Sequence, residues 1–161
     1  MTEPDPHSPA LTFNPSPRDL QALHAAWGWR LGSAWRPLMC TVLGDLFLQL
    51  ASGHVWWLST GTGDLCQVAD SAPQFRAALA GQAGDEWLLP GLVEALARTG
   101  KALAPGQCYT FSTFPVFAAG SYSVENMFPV EAHAHFAMSG WIHKRICHLP
   151  DGATVDLAIP L

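Results

Sequence analysis

The sequence has few charged residues, and most of them are acidic. Asp, Glu, Lys and Arg make up 13% of its 161 residues, against about 25% in an average globular domain. Eight Lys and Arg stand against 13 Asp and Glu, which gives a formal net charge of −5. Binding to nucleic acid or to an anionic membrane surface needs a basic patch, so this composition argues against both. An acidic surface instead suits a basic partner.

Cysteine is scarce as well, and its arrangement excludes a dense disulfide framework. The four cysteines form no C-x-x-C pair and lie far apart, at Cys40, Cys66, Cys108 and Cys147. The first residues contain no basic segment followed by an apolar one, and no apolar run reaches the ~18 residues that a membrane span needs. We therefore expect reduced thiols, no membrane association and a cytoplasmic location.

Apolar residues, by contrast, are abundant. They make up 49% of the chain, with seven Trp and eight Phe, which suffices for one sizeable core but not for two comfortable domains. Five prolines fall between residues 2 and 17. We predict a flexible, proline-rich segment over residues 1–17 and a single α+β domain over residues 18–161.

The stretch from Gly44 to Asp70 organises the rest of the prediction. It contains three short apolar runs, at residues 45–50, 54–59 and 64–69, separated by connections whose glycines permit tight turns. This pattern predicts an antiparallel meander. Because side chains alternate along a strand, both faces of the meander are partly apolar, and other segments must cover both.

Three helical segments are predicted as covers. The first begins at Ser16-Pro17, which have the residue types of an N-cap and a first helical position, and Gly28 is its expected end. A second helix follows a capping-box pattern in residues 71–81. A third segment occupies residues 85–100, with Pro90 in its first turn.

The second half of the chain returns to strand-like patterns. Four strands are predicted, over residues 107–112, 116–119, 123–128 and 130–139. A short closing helix is expected from Ile142 to Leu149, and residues 153–161 either add an edge strand or trail off. The fold class is therefore α+β: an antiparallel meander and a second set of antiparallel strands, covered by short helices.

The clearest chemical pattern lies in the strand predicted over residues 130–139. Glu131, His133 and His135 alternate along it, so they would share one face and could offer a carboxylate and two imidazoles to one metal ion. The alternative is a polar face in contact with water or a partner, because an H-x-H pair without a second fixed pair is a weak signal. We favour the polar face and predict neither a metal nor another cofactor.

No catalytic constellation accompanies this pattern. Thr60-Gly61-Thr62-Gly63 lacks the lysine and the strand-to-helix context of a phosphate loop, so an ordinary turn is the better interpretation. Cys40 and Cys66 lie in apolar surroundings, which disfavour a thiolate. Asp85-Glu86 suits the start of a helix, whereas Glu125 either supports a connection or contacts a partner.

Several separated motifs follow one another along the chain. They are GDLFLQL, VWWLSTGTGDLCQVADS, DEWLLPGLVEAL, LAPGQCYTF, GSYSVENM, HFAMSGWIHKRI and LPDGATV, and they fall within about residues 38–156. With these motifs the chain resembles the C-terminal domain family of type VI secretion immunity proteins, which is paired in some bacteria with a secreted DNase toxin. In that family a GAD-like domain precedes this one and contributes to toxin binding. Only about 37 residues precede the resemblance here, so we expect no full GAD-like domain.

The resemblance implies an α+β fold, neutralisation of a toxin by tight contact in the cytoplasm, and no catalytic residues. Our first hypothesis is therefore a non-enzymatic immunity protein that covers the functional face of a basic toxin. Its candidate contacts are acidic and histidine residues: Asp85, Glu86, Glu125, Glu131, His133 and His135. Two alternatives stay open. One is a metal-dependent enzyme that uses His133 and His135, and the other is a scaffold or oligomerisation domain that uses the face and edge of the 130–139 strand.

Overall fold

The computed structural model describes residues 7–157 and has an α+β fold, as predicted. Within these residues, one antiparallel sheet contains β1 (Thr12–Phe13), β2 (Trp35–Thr41), β3 (Leu46–Leu50), β4 (Val55–Leu58) and β5 (Leu65–Ala69), and a second contains β6 (Gln107–Phe111) and β7 (Met127–Glu131). The helices are α1 (Pro17–Leu31), α2 (Ala72–Leu79), α3 (Gln82–Leu88), α4 (Pro90–Arg98) and α5 (Ala132–Ile146). None of these described helices is long and apolar enough to cross a bilayer.

The predicted meander is confirmed as β3, β4 and β5. The larger sheet has the order β1-β2-β3-β4-β5, and its central register pairs Phe47 with Trp57 and Leu48 with Trp56. Leu48 belongs to a core shared with α1 and α5, whereas Phe47 belongs to a second core with Phe75 of α2. Both faces of the sheet are therefore covered, as its two-sided apolar pattern predicts.

The N-terminal segment differs from the flexible stretch predicted over residues 1–17. Thr12–Phe13 pairs with β2, and the Leu11 carbonyl accepts a hydrogen bond from the Val42 N–H at 2.9 Å. Backbone groups along the open edge of β2 need partners, and this short strand supplies them. Residues 1–6 of the same prediction lie outside the described residues.

Helix α1 begins as predicted and ends later than predicted. The Ser16 hydroxyl accepts from the Asp19 N–H at 3.1 Å, and the Asp19 carboxylate accepts from the Ser16 N–H at 2.9 Å, which completes a capping box. Gly28 does not end the helix, because its carbonyl accepts the Gly32 N–H and the neighbouring Trp27 is held in the core. Gly32, with φ +68°, is the residue that ends it.

The segment predicted over residues 85–100 is two helices rather than one. Leu89 separates α3 from α4 with φ +44°, the only positive φ at a non-glycine residue in the described chain. A residue before proline is disfavoured in the α region, and Pro90 occupies the first position of α4. Upstream of the break, Trp87 packs beside Trp57, with ring centroids 6.4 Å apart.

The prediction of a strand over residues 130–139 is wrong. β7 ends at Glu131, and the chain continues as the long helix α5. Residues 116–119 and 123–126, also predicted as strands, form turns and bends. At the C-terminal end, residues 153–157 form no strand, and residues 158–161 of the predicted edge strand lie outside the described part of the chain.

Helix α5 is specified by a buried face whose spacing is helical. Its buried positions recur three and four residues apart, at Ala132, His135, Phe136, Ser139, Gly140, Ile142 and His143. A Cβ at Gly140 would lie 2.5 Å from the Ala26 carbonyl oxygen, so α5 lies in close contact with α1. This packing carries two histidines of α5 into the interior.

Candidate functional site

A buried polar network centred on Thr60 lies beneath the loop between β4 and β5. The Thr60 hydroxyl donates to the Gly44 carbonyl at 2.8 Å and lies 2.8 Å from His135 Nε2. The Thr60 N–H donates to Asp45 Oδ1 at 3.0 Å. The other ring nitrogen of His135 lies 2.9 Å from the Thr110 hydroxyl. These contacts suit a neutral imidazole, which donates from one nitrogen and accepts at the other.

A second histidine of α5 holds the same loop. His143 Nε2 donates to the Thr60 carbonyl oxygen at 2.7 Å. The His143 ring packs against the Trp27 indole with centroids 5.4 Å apart, and Trp27 donates to Ser139 Oγ at 3.2 Å. His135, Ser139 and His143 therefore follow one another every four residues on the buried face of α5.

Three glycines let aromatic side chains touch the backbone of this region. A Cβ built on each would lie 2.3, 2.5 and 2.6 Å from the nearest side-chain atom, which belongs to His135 at Gly44, Tyr122 at Gly61 and His143 at Gly63. Real Cβ contacts are essentially never that short, so a larger residue at any of the three positions would displace the side chain packed on it. The prediction that residues 60–63 form a turn is confirmed.

Asp45 lies between this network and the surface. It is 3% exposed and accepts hydrogen bonds from the Trp57 indole N–H at 3.1 Å and from the Thr60 N–H. Burial raises the pKa of the Asp45 carboxyl to about 7, against the lowering effect of these donors. Burial also lowers the pKa of His135 to about 4 and lowers that of His143. At neutral pH both histidines are therefore neutral, and Asp45 is ionised in a fraction of the molecules.

On the other side of Asp45 lies an open cleft of about 540 Å³, which we name the aromatic-acid cleft. Its lining residues come from α1, β4, β5, α3, the junction of α3 and α4, and the connections between strands: Arg30, Leu43, Asp45, Trp57, Ser59, Thr62, Asp64, Leu65, Cys66, Glu86, Trp87, Leu89 and Tyr122. Three of its charged side chains are exposed, namely Arg30, Asp64 and Glu86. The entrance of the cleft thus carries more negative than positive charge.

Two of the predicted contact residues lie near this cleft. Asp85 and Glu86 are both exposed on α3, but only Glu86 lines the cleft. Glu125 is exposed in the connection between β6 and β7. Its neighbour Asn126 stabilises that connection, because its amide joins the Thr113 N–H and carbonyl at 2.9 and 2.7 Å. Within the described residues, the Glu125 side chain forms no ion pair.

Glu131 and His133 lie elsewhere, in a groove beside the start of α1 that Arg18 and Asp19 also line. The structure therefore separates the predicted contacts into three places: α3, the β6–β7 connection and this groove. His135 lies in none of them, because it is 1% exposed and belongs to the buried network. Its prediction as a partner contact is corrected accordingly.

The metal-dependent enzyme and the scaffold considered above both assumed a strand over residues 130–139, and the helix α5 replaces that strand. An α-helix turns once every 3.6 residues, so residues two apart point in nearly opposite directions, and His133 and His135 share no face of α5. Among residues 7–157, no group of three or more His, Cys, Asp or Glu side chains is placed to hold a metal ion. The strand face and edge considered for a scaffold are likewise replaced by α5.

Reasoning from the sequence missed the residues that anchor the β4–β5 loop, chiefly Asp45, Thr60 and His143. Their hydrogen bonds join residues 15 and 83 positions apart, so no local pattern reports them. One signal was readable. Phe136, Ser139 and His143 lie three and four residues apart, which places them on one face of a helix but on both faces of a strand.

Comparison with known proteins identifies no family. No protein-family model matches the chain, and no curated protein is significantly similar to it. The crystal structure of Atu4351 from Agrobacterium tumefaciens is similar at a TM-score of 0.49 and 15% sequence identity, over 75% of this chain and 63% of that one. The chain spans less than two thirds of that protein's length, and a likeness of this degree carries no argument about function.

Proposed function

We propose that this chain is a cytoplasmic immunity protein, which binds a secreted toxin of the type VI class and neutralises it by covering its functional face. The observation that supports the proposal most is a separation between two kinds of polar residue. His135 and His143, which could transfer protons, are buried and bonded to Thr60, whereas exposed carboxylates stand around an open aromatic cleft. Such an arrangement offers a surface to a partner and uses its histidines to hold the fold.

The partner is proposed to be basic, as a DNase must be where it holds DNA. A net charge of −5 favours fast encounter with such a protein. Of the surfaces that carry the predicted contacts, we favour the one with Asp85 and Glu86. The groove with Glu131 and His133 also carries Arg18, which offsets its negative charge.

The test is co-purification of this chain with the polymorphic toxin encoded beside it, followed by growth rescue of cells that express the toxin. We expect a stable complex and full rescue. The double charge reversal Asp85→Lys with Glu86→Lys should weaken the complex by at least about tenfold, because it places two cations against a basic surface. Glu131→Lys is the matched control and should leave rescue intact.

If the wild-type chain forms no complex with the toxin and does not rescue growth, the immunity proposal is wrong. If Glu131→Lys abolished rescue and the α3 double variant did not, immunity would stand and the groove would be the toxin-binding surface. Circular dichroism of each variant is needed to show that it is folded.

A further inference from the structure

The aromatic-acid cleft has walls that attract a cation. The indole rings of Trp57 and Trp87 lie 6.4 Å apart, and both line the cleft together with Tyr122. The face of an aromatic ring carries negative charge density, so a cation placed over it is bound electrostatically. A volume of about 540 Å³ is within the usual range for sites that hold a small group.

The deepest ionisable group of the cleft is a carboxyl that only accepts hydrogen bonds. Asp45 accepts the Trp57 indole N–H at 3.1 Å on one carboxylate oxygen and the Thr60 N–H at 3.0 Å on the other. Donors to both oxygens suit the ionised form. Within residues 7–157, however, no Lys, Arg or His forms an ion pair with this carboxylate. A buried carboxylate without a countercharge is unfavourable, and a cation in the cleft would supply one.

The charged residues at the entrance of the cleft also favour a cation. Glu86 and Asp64 are exposed there and oppose the single basic residue of the lining, Arg30. Exposed ion pairs alone are weak. Aromatic walls and a buried carboxylate behind them make the cleft different from an ordinary cluster of surface acids, because they act where water is partly excluded.

We propose that the cleft binds one guanidinium or ammonium group, on a side chain that a protein partner projects into it. The group lies against the wall formed by Trp57 and Trp87, meets Glu86 at the entrance and faces Asp45 below. Guanidinium is preferred, because it is planar, weakly hydrated and able to stack on indole rings. The proposal rests on the proposed function only for the identity of the partner, since the chemistry of the cleft selects a cation on any protein.

The test uses N-acetyl-arginine amide as the probe, with N-acetyl-citrulline amide as its uncharged analogue of the same shape. Tryptophan fluorescence and NMR chemical shifts follow each titration. We expect saturable binding of the arginine probe and at least about tenfold weaker binding of the citrulline analogue. Shifts should be concentrated on the indole N–H signals of the two wall tryptophans.

Single neutralising substitutions locate the site. Glu86→Gln should weaken binding of the arginine probe about threefold, whereas Asp85→Asn, an adjacent exposed acid outside the cleft, should leave it unchanged. Arg30→Gln should strengthen binding about twofold, because it removes the like charge. Asp45→Asn keeps the shape of the side chain and should weaken binding about tenfold, with near-UV circular dichroism as the check of its fold.

Three results would overturn the proposal: absence of saturable binding by the arginine probe, equal affinity for the citrulline analogue, or equal effects of Glu86→Gln and Asp85→Asn. These outcomes are independent of toxin neutralisation. Probe binding as expected together with failed rescue would remove the immunity proposal and keep the cation site. Successful rescue with no probe binding would remove the cation site and keep the immunity proposal.

Discussion

The loop between β4 and β5 has an inner and an outer side, and the two sides use ionisable residues in opposite ways. On the inner side, His135 and His143 are buried, bonded to Thr60 and packed against glycine backbone. On the outer side, Asp64 and Glu86 are exposed around an open cleft. This difference shows that a histidine pair in a sequence does not by itself indicate a functional surface. Burial decides whether such residues hold the fold or face a partner.

The largest effect is expected from adding one methyl group to the inner side. Gly44→Ala would place a Cβ 2.3 Å from His135 Nε2 at a residue whose φ is +89°. We expect the free energy of unfolding to fall by about 4 kcal/mol, from backbone strain and displacement of the ring. Gly53→Ala is the control, because its φ is +91° and no atom lies within 4 Å of its Cβ. The free energy of unfolding of Gly53→Ala should fall by about 1 kcal/mol. Equal losses for the two variants in urea denaturation would contradict the role given to His135.

A slightly smaller loss is expected from His135→Ala. The substitution leaves the hydroxyls of Thr60 and Thr110 without the ring nitrogens they contact, and it opens a cavity. We expect about 3 kcal/mol of destabilisation in urea denaturation. His133→Ala, two residues earlier on the partly exposed side of the helix, should change stability by less than about 0.5 kcal/mol. Similar effects of the two substitutions would mean that α5 is oriented differently.

Asp45 lies between the inner and outer sides of the loop, and its carboxyl should make the stability of the protein depend on pH. Its folded-state pKa of about 7 lies above its usual value of 3.8, so the protonated form favours the folded state and this contribution is lost as pH rises from about 4 to 7. His135 acts in the opposite sense, because its pKa is lowered from 6.5 to about 4 and the folded state gains stability over that range.

A comparison with Asp45→Asn isolates the carboxyl from the histidine. Between pH 5 and pH 7 we expect the wild-type protein to lose about 2 kcal/mol of stability relative to this variant. Denaturation with urea at both pH values measures the difference. Parallel changes in the two proteins would show that Asp45 titrates as an exposed carboxyl does.

The smallest effects are expected on the outer side. Glu86→Gln and Asp85→Asn should each change the free energy of unfolding by less than about 0.5 kcal/mol, because both side chains are exposed and neither has a hydrogen bond to lose within the described residues. A substantial loss of stability at Glu86 would assign it to the fold and remove it from the cleft's binding role.

The part of the fold that follows local rules could be predicted from the sequence. The three strands of the meander are bounded by glycines and carry two apolar faces, and Ser16 is the predicted N-cap of α1. Helix α5 could not be read in the same way. The alternation from Val130 to Met138 includes Ala132 and Ala134, and alanine is small enough to fit a helix or a strand. Long-range packing of α5 on α1, through Gly140, decides between them.

The candidate site was less predictable than the fold. Glu86 is a candidate contact because it is one of the acidic residues of the sequence, but only the structure shows that it is exposed and lies late in α3 rather than at a helix start. Trp57, Trp87 and Tyr122 meet only in the folded chain, where the break at Leu89 separates α3 from α4. The sequence contains the residues of the cleft, but their convergence depends on contacts between distant segments.

Because α5 anchors the β4–β5 loop, the loop must wait for its anchor while the chain is being synthesised. His143 follows Thr60 by 83 residues, and ribosomes add about 5–20 residues per second. The loop is therefore made roughly 4–17 seconds before its anchor exists. During this interval the meander lacks α5, which together with α1 covers one of its apolar faces. The speed of translation between these two residues therefore sets how long an incomplete sheet is exposed to chaperones and to aggregation.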